Sequence, residues 1–302
     1  MSFRTGLQSV KNKMFSANRA VRAGFWRQTF AKIAMYIILT VLAFFVVFPY
    51  IWMILASLKP YDEFLEFYAK IFPNQWSFTS YKQLFSDPNL NFGRGYLNSM
   101  IVVIGVIPCG TFFASMSAFS FAKLKLRHKT FWLLFLLSGM MVPGAVLLLP
   151  RYIAYQQLSW IDTLLPLIVP HLFIHVSMMF FFIQYMRGIS NTIFEAAKID
   201  GSGYLFMHVY IMIPLMIPAI SAQVIFWFMG IWNDYFAPSI YLTSASKLTL
   251  QAMLARLNSN ELGVNFTKIF AGAVMSSIPM IVFYIIFQNF FIESITIGAV
   301  KE

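Results

Sequence analysis

Six stretches of the 302-residue chain contain no Lys, Arg, Asp or Glu, and each runs for 20 to 26 residues. A transmembrane helix needs about 20 mostly apolar residues, so each stretch is long enough to cross a bilayer. The stretches are residues 33–57, 96–121, 131–150, 164–186, 212–233 and 269–292. The sequence therefore predicts an all-α integral membrane protein with six transmembrane helices.

The composition excludes an ordinary soluble enzyme. Charged residues make up 11% of the chain, whereas soluble domains have about 25%, so this chain cannot cover a surface that faces water. The first apolar stretch follows a basic segment, as the core of a signal peptide does. Its 25 residues exceed the ~7–15 of such a core, and we expect it to be retained as the first span.

The net charge of +11 is concentrated on one side of the predicted membrane. The segments before the first span, after the second, after the fourth and after the sixth together hold 14 basic and four acidic residues. The segments on the other side hold eight basic and seven acidic residues. Basic residues favour the cytoplasmic side, so both termini are predicted to be cytoplasmic. Charge placed next to the membrane matches anionic lipid headgroups, and we expect no nucleic acid partner.

These spans divide the chain into five parts. The first part is a basic cytoplasmic segment, which is either an interfacial helix or a tether. Two loops on the outer side are long, and the second shows little regular apolar pattern, which is typical of a functional loop. The parts are the N-terminal segment 1–32, the first transmembrane helix 33–57, the outer loop 58–95, the core 96–292 with the outer loop 234–268, and the cytoplasmic tail 293–302.

Several features within the spans have more than one interpretation. Gly105 and Gly110 do not form a phosphate-binding loop, because no lysine follows, and are interpreted as sites of close helix packing. Many prolines lie in or beside the spans, which indicates either kinked packing or an irregular bundle that rearranges around a pathway. His171 and His175 are four residues apart, on one predicted helical face. Without a third ligand, a hydrogen-bonding role is favoured over a metal site.

The loop between the fourth and fifth spans has the pattern of a short helix. Thr192 and Glu195 form a capping box, and Gly201 stands where a C-terminal cap is expected. Asp200 is predicted to cap the next helix, which begins near Gly203 and continues into the fifth span. On physical grounds the eight-residue helix is either a docking element for a partner groove or a plain cytoplasmic turn.

One motif in this loop identifies a family. Glu195-Ala196-Ala197 is followed after three residues by Gly201, and after nine more by Ile211-Met212-Ile213-Pro214. This spacing resembles the EAA loop of bacterial ABC importer permeases. Residues 33–302 resemble the carbohydrate-uptake branch, the type of the maltose importer's smaller permease. The supporting motifs are Tyr96-Leu97-Asn98-Ser99, Met141-Val142-Pro143, Pro150-Arg151-Tyr152, Trp232-Asn233-Asp234, Thr249-Leu250, Gln288-Asn289-Phe290-Phe291 and Gly298-Ala299-Val300-Lys301.

The resemblance implies a type I ABC importer permease fold in the bacterial inner (cytoplasmic) membrane. The implied partners are a second, non-identical permease, two ATP-binding cassette subunits and an extracellular or periplasmic substrate-binding protein. The chain itself would be no enzyme and would hold no cofactor, because ATP and Mg would bind to the ATPase subunits. The loop 188–213 would dock onto an ATPase subunit. The implied coupling residues are Glu195, Ala196, Ala197, Asp200, Gly201, Ile211 and Pro214.

The substrate pathway is predicted less sharply. His175, Asn233 and Asp234 are its candidate residues, because they are polar groups within or at the end of a span. An ion-coupled secondary carrier that works alone is an alternative, but its midplane would need titratable groups, and the six spans offer only two histidines. A polytopic membrane enzyme is a further alternative, for which no acid, base and nucleophile set is evident.

Overall fold

The computed structural model describes residues 2–66, 70–88, 90–173, 175–258 and 265–299. Within these ranges every regular element is a helix, as predicted. The helices are α1 (Ser2–Ser57), α2 (Tyr61–Glu66), α3 (Thr79–Ser86), α4 (Phe92–Lys123), α5 (Lys129–Gly139), α6 (Leu148–Gln157), α7 (Leu165–Phe173), α8 (Val176–Arg187), α9 (Thr192–Ile199), α10 (Tyr204–Phe206), a π-helical turn (Met207–Met212), α11 (Ile213–Leu215), α12 (Ile217–Trp232), α13 (Phe236–Tyr241), α14 (Leu250–Asn258) and α15 (Phe266–Ala299).

Four segments in the described ranges are long and apolar enough to cross a membrane, and a bent pair makes a fifth. The four are Thr29–Ser57, Phe92–Lys123, Leu165–Arg187 and Phe266–Gln288, and the bent pair is Tyr204–Leu215 with Ile217–Tyr241. The predicted third span, 131–150, is not one helix, because α5 ends at Gly139 and α6 begins at Leu148. Pro143 and Gly144 lie in the break, where proline restricts the residue before it and glycine weakens a helix.

Helix α4 lies at the centre of the bundle and packs against α7, α8, α12 and α14. Its buried face carries small residues four apart, at Gly110, Ala114 and Ala118. Because lipid is as apolar as the helix surface, close approach of small residues is a main source of helix association in membranes. A Cβ atom at Gly110 would lie 2.1 Å from the Trp227 ring and 2.7 Å from a backbone oxygen. The close-packing prediction for Gly110 is therefore confirmed.

The outer surface of the bundle is apolar. On α1, the large side chains of Phe44, Phe45 and Val46 are 61–77% exposed. Such a continuous apolar surface would aggregate in water and matches a hydrocarbon environment. Helix α1 packs against α15, which in turn contacts α3, α12 and α14.

The two long segments between spans are more ordered than the sequence predicted. Segment 58–95 contains α2 and α3, and Lys59, which is 1% exposed, donates a hydrogen bond to the Lys70 carbonyl. Burial lowers the pKa of the Lys59 amine. The described part of segment 234–268 contains α13 and α14 with a buried apolar face, so the expectation of little regular apolar pattern there is wrong. Leu250, Met253 and Leu257 recur at helical spacing and are buried in the core.

The bundle has two distinct ends, separated by the length of α4, about 48 Å for 32 residues. At the end that we call the α14 end, Asn98 and Ser99 near the start of α4 bond to residues 246–250. At the opposite end, which we call the α9 end, Lys123 at the end of α4 bonds to the segment before α9.

Candidate functional site

The short helix predicted in the inner loop is present as α9, with the expected eight residues. Its beginning differs from the prediction, because Asn191 rather than Thr192 occupies the N-cap position and makes no side-chain capping bond. The Asn191 Oδ1 atom instead accepts a hydrogen bond from the Lys123 amine at 2.8 Å. The Thr192 hydroxyl bonds to the Ser190 hydroxyl. The capping-box prediction is therefore wrong, and Glu195 is an exposed side chain on the first turn of the helix.

The end of α9 forms a Schellman turn. Gly201 has a φ of +79°, a left-handed conformation that favours glycine. The Gly201 N–H donates to the Lys198 carbonyl and the Ser202 N–H donates to the Ala197 carbonyl, which is the pattern of this motif. The predicted C-terminal cap is confirmed. Asp200 is the C-cap residue of α9 and does not cap the next helix, because Gly203 holds that N-cap position without a side-chain bond.

The double alanine gives α9 two different faces. Ala197 is buried against the bundle, whereas Ala196 is exposed. Ile199 is three residues further along the exposed face and is 87% exposed. An isoleucine that is exposed at the α9 end, beyond the apolar spans, is a good contact point for another protein. The sequence analysis missed Ile199, although the apolar spacing from Ala196 could have revealed it.

Lys123 anchors α9 to α4. Its amine donates to the Ile189 carbonyl at 2.7 Å and to Asn191, and lies 4.9 Å from the centre of the Phe194 ring. Between this lysine and α9 lies an open groove of about 610 Å³, which Glu195 also lines. The groove and the exposed face of α9 together form a surface that protrudes from the end of the bundle.

Behind α9 the chain forms an arm that includes Ile211 and Pro214. The arm, Tyr204–Leu215, meets Ile217–Tyr241 at an angle of 79°. Pro214 and Pro218 flank the bend, and proline removes a helical hydrogen bond and restricts the preceding residue. The prediction of a helix continuous with the fifth span is therefore wrong, although the arm does begin next to Gly203.

The arm is fixed to α4 on its inner side. Ile211 packs against the core, while Pro214 is exposed. His208 is 1% exposed and its Nε2 atom lies 3.3 Å from the Ser115 hydroxyl. The arm therefore connects α9 to the packed part of the bundle.

At the α14 end, the structure separates the predicted pathway residues. Asp234 lines a cavity of about 250 Å³, and its Oδ1 atom accepts hydrogen bonds from the N–H groups of Phe236 and Ala237. Asn233 is exposed outside this cavity and accepts a hydrogen bond from Gln251 at 3.4 Å. The two adjacent residues therefore face different surroundings.

His175 lies outside this cavity. It is the N-cap residue of α8, where its Nδ1 atom accepts from the Met178 N–H, and its ring lies 4.4 Å from that of Trp227. Helix α7 ends at Phe173 and α8 begins at Val176, so the two histidines are not on one continuous helix. His171 and His175 nevertheless line one pocket, so the prediction that they face the same side is confirmed. His171, rather than His175, lines the cavity with Asp234.

The cavity contains further residues that the sequence analysis did not assign to the pathway. Arg151 and Tyr155 from α6 line one side, and Thr249 lines another. For Arg151 and Thr249 the sequence signal was membership in the Pro150-Arg151-Tyr152 and Thr249-Leu250 motifs, and Tyr155 belonged to no motif. Nothing in that pattern indicated that segments about 100 residues apart meet at one cavity.

The loop beside the cavity is fastened by Asp162. Its carboxylate accepts hydrogen bonds from the Thr243 and Ser244 N–H groups at 3.0 and 2.9 Å and from the Ser244 hydroxyl. Desolvation raises the pKa of Asp162, but these hydrogen bonds together outweigh it, and the pKa lies below its usual value.

Comparison with known proteins gives the class of this architecture. No family model matches the sequence. The chain is 31% identical over 272 residues to the arabinooligosaccharides transport system permease protein AraQ of Bacillus subtilis, covering 89% of this chain and 96% of that protein. It is 30% identical to the AraQ protein of Halalkalibacterium halodurans, covering 86% and 93%. It is 27% identical to the diacetylchitobiose uptake system permease protein NgcG of Streptomyces coelicolor, covering 85% and 84%.

A solved structure has the same fold. A chain of a bacterial ABC transporter involved in the import of the acidic polysaccharide alginate matches with a TM-score of 0.75 and 21% identity, covering 86% of this chain and 95% of that one. The protein belongs to the family of sugar ABC transporter permeases. It is a transport subunit rather than an enzyme, and the alternative of an ion-coupled carrier that works alone is not supported.

Proposed function

We propose that this permease crosses the cytoplasmic membrane six times, with both termini in the cytoplasm, and that α9 couples it to an ATPase subunit. The broken pair α5 and α6 would make the third crossing, and the bent pair around residue 216 the fifth. The observation that carries the coupling role is the exposed surface of α9, where Ile199 is 87% exposed and Glu195 lines an open groove.

We infer a complex that contains a second, non-identical permease and two ATP-binding cassette subunits. A substrate-binding protein on the outer side would deliver a sugar or oligosaccharide to the α14 end. ATP and Mg would be held by the ATPase subunits. The names of the relatives, which concern arabinooligosaccharides and diacetylchitobiose, support a carbohydrate cargo.

The coupling step would be a rigid-body movement. Closure of the ATPase pair on ATP would displace α9, and the arm Tyr204–Leu215 would transmit this displacement to α4 and α12. The spans would have an inward-open and an outward-open arrangement. ATP binding can shift the equilibrium between them only by the difference in the affinity of the ATP-bound ATPases for the two arrangements. The arm would move as a rigid unit, because Ile211 packs against the core and Pro214 restricts the backbone next to the bend.

The coupling role is tested by Ile199→Ser in proteoliposomes that contain the whole complex. An exposed apolar contact that is buried by a partner contributes about 1.5–3 kcal/mol, so ATPase binding should weaken by tenfold or more. Ile71→Ser is the matched control, because Ile71 is also exposed but lies in segment 58–95. Equal ATPase binding and equal uptake in the two variants would contradict the docking role.

The orientation is tested by labelling with an impermeant thiol reagent in intact cells. In a background with Cys109, an exposed residue, replaced by Ala, Gln75→Cys should be labelled and Lys198→Cys should not. The reverse pattern would contradict the proposed topology.

A further inference from the structure

The cavity at the α14 end has the size and chemistry of a small-molecule site. It measures about 250 Å³, below the ~300–1,000 Å³ of pockets for drug-sized ligands, so it suits a single ring rather than a chain of sugars. Helices α4, α6, α7 and α13 surround it, together with the segment just before α14. These are separate elements of the bundle, so movement of the spans would change the shape of the cavity.

Polar groups converge on this cavity without protein partners. The Thr249 hydroxyl is buried and forms no hydrogen bond. Asp234 uses Oδ1 to cap α13, while its second oxygen accepts nothing from the described part of the chain. The Arg151 guanidinium likewise forms no hydrogen bond or ion pair with another described residue. Buried polar groups in native proteins are nearly always paired, so the buried Thr249 hydroxyl points to a ligand that the protein chain does not provide. The exposed Arg151 and the half-buried Asp234 line the same cavity and can reach such a ligand.

An aromatic wall completes the cavity. Tyr155 and Tyr241 line it, with ring centroids 5.2 Å apart in an edge-to-face arrangement. Trp160 stacks behind Tyr155 at 5.8 Å, and Tyr152 stacks on Tyr241 at 6.5 Å. An aromatic face provides a rigid apolar surface, which fits the C–H face of a sugar ring while the hydroxyls of that ring reach the polar groups.

The charges in the cavity define the chemical class of the ligand. Arg151 and Asp234 contribute one positive and one negative charge. A neutral ring with several hydroxyls can donate to the Asp234 carboxylate and accept from Arg151, whereas an acidic ring would meet the Asp234 carboxylate as a like charge.

We propose that this cavity is a subsite of this permease for one neutral sugar ring of the transported substrate, recognised by Arg151, Asp234 and Thr249 and stacked on Tyr155. This proposal rests on the proposed function as a sugar-translocating subunit. Thr249 is a binding residue here, and the Tyr155 ring is the apolar platform.

Thr249→Val tests the subsite without removing a hydrogen bond within the protein, because the Thr249 hydroxyl has none. Thr111→Val is the matched control, since the Thr111 hydroxyl on α4 is also buried and unpaired but does not line the cavity. Loss of one ligand hydrogen bond should weaken sugar binding about five- to tenfold in the first variant and leave it unchanged in the second.

The binding measurement uses the whole importer complex in nanodiscs, without the binding protein, by equilibrium dialysis. The probes are radiolabelled arabinobiose, galactobiose, diacetylchitobiose and an alginate disaccharide, followed by uptake of the same sugars into proteoliposomes with the binding protein present. Tyr155→Leu should weaken binding of a neutral probe by tenfold or more, and Tyr155→Phe, which keeps the ring, should restore most of it.

The outcomes separate the two proposals. Uptake of a neutral sugar by the wild-type complex, with equal binding in the Thr249→Val and Thr111→Val variants and in the Tyr155→Leu variant, overturns the subsite and leaves the transport function intact. Preference for the alginate disaccharide in the binding assay overturns the assignment of a neutral ring. Failure of the wild-type complex to take up any of the probes contradicts sugar translocation and overturns the subsite with it.

Discussion

The two ends of this bundle are joined to α4 in different ways. At the α14 end, the Asn98 amide donates to the Ser246 and Leu248 carbonyls, and the Ser99 hydroxyl accepts from the Leu250 N–H, so residues about 150 apart in sequence are fastened together. At the α9 end, α9 turns an exposed face away from the bundle, and Lys123 links its N-terminal segment to α4. The α14 end is held together by its own hydrogen bonds, whereas the α9 end presents an exposed helix face.

The largest effect is expected from Gly201→Val, which strains the α9 end alone. Gly201 has a φ of +79°, and holding a β-branched residue there costs about 1–3 kcal/mol. The Schellman turn would open and re-aim α9 while the spans stay folded. Substrate-stimulated ATP hydrolysis and uptake in proteoliposomes should both fall tenfold or more, with normal membrane insertion.

Gly203→Val is the matched control for that substitution. Gly203 is two residues away and has an extended backbone with φ −72° and ψ 156°, and a Cβ atom at this position would meet no heavy atom within 4 Å. We therefore expect near-normal coupling in this variant. If both valine variants lose coupling equally, the left-handed turn is not what directs α9.

A different result is expected from Asn98→Leu at the α14 end. The substitution leaves the Ser246 and Leu248 carbonyls without their donor, and each buried group left unpaired costs about 1–3 kcal/mol. The loss should appear as faster thermal inactivation and faster proteolysis of the segment before α14. Ser99→Ala, which removes one hydrogen bond, should have a smaller effect. Unchanged inactivation in both variants would show that these hydrogen bonds do not stabilise the α14 end.

Lys123→Met tests the link between α4 and the segment before α9. It removes two charge-assisted hydrogen bonds, to Ile189 and Asn191, each of which contributes about 1.5–3 kcal/mol. The N-terminal part of α9 should become mobile, so a spin label at position 192 should show a narrower spectrum, and coupling should fall several-fold. Lys125→Met is the control, because Lys125 is exposed and lies two residues along. Equal spectra would contradict the anchoring role.

The sequence predicted short-range features well and long-range ones poorly. The length of α9 and the cap at Gly201 follow from residues that are adjacent in sequence, and both were confirmed. The capping box failed because Asn191 bonds to Lys123, which is 68 positions away. Polar pairings of this kind depend on the packing of α4 against the inner loop, and no local pattern records them.

The difference between short-range and long-range features also explains which spans and pathway residues were predicted correctly. Apolar length predicted the helices at 92–123 and 266–288, but not the breaks near residues 144, 175 and 216. In a membrane, freed backbone groups can be satisfied by neighbouring helices, so a proline does not by itself decide where a helix breaks. Arg151 and Thr249 were missed for a related reason, since only the fold brings α6 to the segment before α14.

The smallest effect is expected from Asp162→Asn, which loosens one loop of the α14 end. The folded-state pKa of Asp162 is depressed, so its contribution to stability is present above the unfolded pKa and is lost as the pH falls through the folded pKa. The carboxylate therefore holds the Thr243 and Ser244 N–H groups at neutral pH and releases them only in acid, below the ordinary pKa of an aspartate. Hydrogen exchange at these two amides should be slower in the wild type than in the Asp162→Asn variant at pH 7. The ratio of the two rates should approach one as the pH is lowered.

Because the site is near the surface, we expect little change in uptake. A ratio that stays constant down to the lowest pH at which the protein remains folded would show that the loop is held by the hydrogen bond from the Asp162 N–H to the Tyr241 carbonyl rather than by the carboxylate.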